Sequence, residues 1–170
     1  SLAIMAGGST DDIESVRPLM EQLSATFTVF GDVGAGQVAK MVNQVLVLNN
    51  YVVLAEALAL AEAGGIDASK IPEALAAGHA GSNLLRDIFP RMIARHFEPK
   101  GYARQVLKDL DMVHDLAKEF KTPTPMSAQA AALFRIFNSK GHEELDGIAI
   151  LKLFDGQDKV LQTSNCMEMW

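Results

Sequence analysis

Two short apolar runs flank a helical period at the start of the chain. LAIMAGG, ending in a glycine pair, and FTVF at 27–30 both read as strands. Between them Thr10, Asp11 and Asp12 offer N-caps, and Ile13, Val16, Leu19, Met20 and Leu23 recur at helical spacing across Pro18. Strand, helix, strand within thirty residues is a piece of an α/β pattern. From Gly36 onward every apolar period is helical. One helix runs to about Ala63, where Gly64-Gly65 stops it. A second runs from Asp67 or Ser69 to about Gly78. A third starts at Ser82, with Pro90 marking a kink or break. A fourth covers about 101–120 and ends before Thr122-Pro123-Thr124-Pro125, which cannot continue it. Helices at about 126–139 and 146–154 complete the set, and the tail after Gly156 has no clear period.

Composition narrows the function classes. With 49% hydrophobic and 21% charged residues the chain can bury a core. Its net charge of −6 and the lack of any basic run argue against nucleic-acid binding. The most apolar stretch, 45–63, contains Asn49, Asn50, Glu56 and Glu62, which makes it a poor membrane span and a good buried helix. The single cysteine, Cys166, permits no intrachain disulfide and no cysteine cluster for zinc; it reads as an inert thiol. The four histidines are scattered without HxxxH or HExxH spacing, so no metal site is expected. SLAIMAGG lacks the basic and apolar regions of a signal peptide, and the expected location is cytoplasmic.

The chemistry concentrates in GDVGAGQVAKMVNQ, 31–44. Its glycines are not spaced as GxGxxG, and a tight strand-to-helix turn explains them better than a phosphate cradle. Lys40 lies about one turn into the following helix. Asn43 and Gln44, at i+3 and i+4, share its face, and Asn50 falls near the same side. Polar side chains cost energy in a core unless paired, so this stripe suits a cleft wall. A lysine there can donate a proton or stabilise an oxyanion. Spacing alone leaves equal weight on a surface lysine beside capping amides. In VLKDLDMVHDLAKEF, 106–120, Lys108 and Asp109 edge the apolar stripe; a solvated charge run accounts for them by spacing alone, and His114 reads as surface.

Taken in order, several segments resemble the C-terminal part of the β-hydroxyacid dehydrogenase family. They are IMAGG, GDVGAGQVAKMVNQ (as GxxGxGxxxKxxN), GHAGSNLLRDIFPRM, FEPKGYARQVLKDLDMV and GHEELDGIAILKLF, together covering about residues 2–155. The resemblance implies a mainly α fold, the helical C-terminal domain of the 6-phosphogluconate dehydrogenase-like type. Residues 34–170 would form that domain, and residues 1–33 a strand-helix-strand remnant of a Rossmann domain. It implies a catalytic Lys40, substrate positioning by Asn43, Gln44 and Gly36, and contact with the nicotinamide end of NAD or NADP by Lys108, Asp109 and Tyr102. The implied reaction is NAD(P)-dependent dehydrogenation of a small 3-hydroxy acid such as 3-hydroxyisobutyrate, tartronate semialdehyde/glycerate or a threonate-like acid. A dimer or tetramer is implied as well. Neither GxGxxG nor a Ser-Gly-Gly loop occurs in the 170 residues, so this chain is expected to be a fragment that binds a dinucleotide weakly and does not turn over alone. A non-catalytic helical interaction module accounts for the helices equally well but leaves the polar stripe unexplained. A Schiff-base lysine enzyme is the third alternative.

Overall fold

A computed structural model describes residues 2–155; Cys166 lies outside them. Strand β1 (Ala3–Ala6) and strand β2 (Thr26–Val29) pair in parallel, Ile4 opposite Phe27, with helix α1 (Thr10–Leu23) between them. Ser9 caps α1 by accepting from the Asp12 backbone N–H. The apolar positions of α1 do not all find a core: Ile13 is buried, whereas Val16, Leu19 and Leu23 are exposed.

Helix α2 (Ala35–Ala63) is the axis of the rest. Its 29 residues span about 43 Å at 1.5 Å per residue. By length and hydropathy it could cross a membrane. Here one side is covered by α4 (Asn83–Ile93), α5 (Ala103–Glu119) and α6 (Pro125–Phe137), and by a tight 3-10 segment at Gly147–Leu153. The core between them holds Leu58, Phe89, Met92, Leu110, Phe134 and Phe137, all inaccessible to solvent. Arg95, just beyond α4 and held at φ +53, grips both oxygens of Glu62 at 2.8 Å and Asp155 at 2.7 Å, tying the far end of α2 to the end of the described chain.

Three helical expectations change in detail. The second helix shrinks to a 3-10 turn (Ala68–Lys70) and a single turn, α3 (Ile71–Ala74). No residue of α3 is fully buried and only Ile71 packs against the core, too little apolar contact to stabilise a longer helix. Pro90 does not end α4, which runs on to Ile93. Pro90 and Arg86 are both exposed, so the carbonyl freed by the missing N–H meets water, while Ile88, Phe89 and Met92 stay in the core. The last helix is 3-10 rather than α, and Ile148, Ala149, Ile150 and Leu151 are all buried in it.

Candidate functional site

The sheet meets α2 through two glycines. A Cβ on Gly36 would stand 2.5 Å from the Met5 carbonyl oxygen, and one on Gly7 would stand 2.4 Å from the Asp32 oxygen. Both positions therefore require glycine, so that strand and helix backbones can touch. Gly34, at φ +93, turns the chain into α2. This contact forms one end of a cleft of about 750 Å³, lined by Leu2, Met5, Gly7, Gly36, Gln37, Lys40 and Asn43, among others. Gly36 thus lies on the cleft floor, but its lack of a side chain serves the packing of β1.

Lys40, Asn43 and Gln44 converge as their spacing predicts. Gln44 is buried (7% exposed), and its Oε1 accepts from Lys40 Nζ at 3.0 Å and from Asn43 Nδ2 at 3.0 Å. Its Nε2 donates to Asp109 Oδ2 on α5. The other Asp109 oxygen pairs with Lys108 Nζ at 3.0 Å, and Lys108 is largely exposed. An ionised carboxylate only accepts, so Asp109 dictates which way the Gln44 amide points. Lys40 keeps two N–H bonds for the cleft.

The structure does not bring every expected residue here. Asp109 reaches the cleft only through Gln44. Tyr102 caps the start of α5, seven residues from Asp109 and so roughly 10 Å along the axis. Its ring lies under the Arg104 guanidinium, 4.5 Å away, and its backbone bridges Asp146. Asn50 bonds back to the Leu46 carbonyl at 2.6 Å and does not join Lys40. Asn49 turns to α6, donating to the buried Ser127 Oγ at 2.9 Å.

One polar centre carried no spacing signal. Asp146, 3% exposed, accepts from the Lys100 backbone N–H at 2.7 Å, the Ile148 N–H at 3.0 Å and Arg91 Nη2 at 3.1 Å. It joins α4 to the loop that starts α5 and so sets where α5 begins. Tyr51 of α2 lies beside it, its pKa raised by burial and then by the Asp146 charge, with Arg91 opposing. The cue available in the sequence was an Asp directly before the apolar run GIAIL, a cap position.

A family model described as NAD-binding of NADP-dependent 3-hydroxyisobutyrate dehydrogenase matches residues 34–154. The chain belongs to that family. The 2-hydroxy-3-oxopropionate reductase of Escherichia coli (strain K12) is 34% identical over 155 residues, covering 91% of this chain and 53% of its own. The NAD-dependent L-serine dehydrogenase of Pseudomonas aeruginosa is 31% identical over 162 residues, covering 91% and 54%. The crystal structure of a 3-hydroxyisobutyrate dehydrogenase from Salmonella typhimurium matches with a TM-score of 0.80 at 25% identity, over 88% of this chain and 53% of that one. The chain therefore spans about half the length of these relatives. The 3-hydroxyisobutyrate dehydrogenase family match includes the whole Lys40–Gln44–Asp109 network, and the mainly helical fold agrees with that membership.

Proposed function

We propose that this chain supplies the proton-transfer half of an NAD(P)-dependent dehydrogenase acting on a small 3-hydroxy acid, with Lys40 as the catalytic residue. The observation that carries this is the anchored lysine: Nζ is held by one acceptor, Gln44 Oε1, at the edge of an open cleft. In the reducing direction the Lys40 ammonium donates a proton to the substrate carbonyl oxygen as the alcohol forms; in oxidation the amine takes the hydroxyl proton. A bound nicotinamide would supply or accept the hydride. The cleft has room for the reactive end of such a cofactor. Lys108, exposed on α5, would border that ring. No GxGxxG occurs among the 170 residues to hold the pyrophosphate, so these residues fit the nicotinamide end alone. Titration of the chain with NADH or NADPH is expected to show no micromolar affinity.

The strand-helix-strand segment supports a boundary near residue 33. A two-stranded parallel sheet is marginal alone, and parallel sheets are ordinarily covered on both faces. Here Val16, Leu19, Leu23 and Phe30 are exposed. We read residues 1–33 as part of a dinucleotide-binding domain and residues 34–170 as the catalytic and oligomerisation domain. Self-association would use the outward stripe of α2, where Val42, Leu46, Val53 and Leu60 stand exposed at near-heptad spacing.

Lys40→Ala in the intact protein tests the reading. Turnover of a 3-hydroxy acid should fall by at least a hundredfold while cofactor binding holds within a few-fold. Unchanged turnover would remove Lys40 from the mechanism.

A further inference from the structure

We infer that the outward face of α2 pairs with the same face of a second copy of this chain, antiparallel, with the two-fold axis at Val53. This rests on the self-association reading above and gives it a direction and a register.

The face is periodic. Leu46, Val53 and Leu60 are 62%, 47% and 75% exposed and stand seven residues apart, the repeat with which one helix packs along another. A two-fold at Val53 sets each residue before it opposite the residue equally far beyond it in the partner. Leu46 then meets the partner's Leu60, and Val53 meets the partner's Val53. Val42, also exposed, meets the partner's Gly64, where no side chain stands in the way. Ala57, small and exposed, comes opposite Asn49, whose amide is already turned to Ser127.

Charge selects this arrangement over its rivals. Glu56 is exposed on the seam between Val53 and Leu60. A parallel pair in register sets Glu56 against Glu56, and like charges held together across an interface are costly. An antiparallel pair centred on Tyr51 sets Glu56 on Leu46 and leaves a carboxylate against an apolar side chain. Centred on Val53, Glu56 faces the partner's Asn50 instead. Asn50 Nδ2 gives one N–H to the Leu46 carbonyl at 2.6 Å and keeps the other for a carboxylate. The symmetry makes that bond twice.

The register also bears on the cleft. Asn43 lies one turn from Leu46 and borders the seam. The partner's α2 ends opposite it, at Ala63. The turn that follows, ending in the exposed Ile66, stands over the flank of the cleft, so each copy walls the site of the other.

The test is disulfide cross-linking of cysteine variants of the intact protein in a Cys166→Ser background, which removes the native thiol. The substituted positions are exposed, so folding is not at stake. Under mild oxidation L46C mixed with L60C should give a covalent dimer, and V53C should give one alone. L46C alone should stay monomeric on a denaturing gel. Its two copies lie about 21 Å apart along the axis, beyond the reach of a disulfide. A covalent dimer of L46C alone means parallel helices and overturns the inference. Faster linking of V42C with L60C than of L46C with L60C centres the pair on Tyr51 and overturns it too. N50D should weaken dimerisation about tenfold by setting two acidic groups together at both ends of the axis, and N50D with E56K should restore it. Failure of that rescue, or a dimer in which V53C does not link, also overturns the inference. A wild-type monomer at tens of micromolar overturns the self-association reading with it. All of these outcomes leave the role of Lys40 to be decided by turnover.

Discussion

Asp109→Ala offers the sharpest check on how Lys40 is held. The substitution strands Gln44 Nε2, an amide nitrogen on a residue that is 7% exposed. An unsatisfied buried donor costs about 1–3 kcal/mol. The lost pair with Lys108 adds less than about 1 kcal/mol, because that side chain is 66% exposed. Alanine is a better helix former than aspartate and returns about 0.5 kcal/mol. The net expectation is a loss of about 0.5–3.5 kcal/mol, read from urea unfolding at unchanged m. Gln44 cannot escape by flipping, since its nitrogen would then face the Lys40 and Asn43 donors. A cycle with Gln44→Met isolates the contact and cancels both the helix-propensity term and the loss of Oε1 to Lys40 and Asn43: the double variant should recover part of the summed losses, because neither partner of the Gln44–Asp109 bond is then left without the other. In the intact protein the same substitution leaves Gln44 Oε1 facing Lys40 but removes the anchor on the other side of that amide, and should reduce kcat by up to about tenfold. A coupling energy under about 0.5 kcal/mol would show that Asp109 does not orient Gln44.

Three further outcomes are expected. Asp146→Ala leaves Arg91, 20% exposed, with the Glu98 carbonyl but without its carboxylate partner, and two backbone N–H groups without an acceptor; the loss should be about 3–5 kcal/mol in urea unfolding, and a loss under 1 kcal/mol would refute the hub. The chain has two tyrosines, and burial together with the Asp146 charge keeps Tyr51 neutral above its ordinary value of 10.0. Its contribution to stability is whole below about pH 10 and is lost as pH rises through the folded-state pKa, so absorbance at 295 nm should show a delayed phase that Tyr51→Phe abolishes. The α2 stripe predicts self-association: light scattering should give a dimer or larger, Leu46→Glu with Leu60→Glu should give a monomer, and a wild-type monomer at tens of micromolar would refute the stripe as an interface.

What the sequence made legible followed from period and from residue type. The helices from α2 onward, the turn at Gly34 and the Lys40–Asn43–Gln44 face all come from spacings of three and four along one element, and such spacings survive folding. Contacts across elements did not show. Asp109 read as part of a solvated charge run because its partner is 65 residues away, and nothing in its own helix marks it as an acceptor for a buried amide. Asp146 is the same case: its donors come from α4, from residue 100 and from its own cap, three places that no local pattern connects. The glycines divide along this line too. That 31–36 form a turn is local and was visible, whereas the need for glycine at 36 comes from the Met5 carbonyl, thirty-one residues earlier. The family resemblance implied a catalytic Lys40, substrate positioning by Asn43 and Gln44, and a cofactor border at Lys108 and Asp109. The geometry separates those assignments. Lys40 and Asn43 face the cleft, while Gln44 and Asp109 lie behind them and orient the amide of Asn43. A donor chain that ends on a carboxylate can run in only one direction, and that direction gives the wall of the cleft its chemical sign.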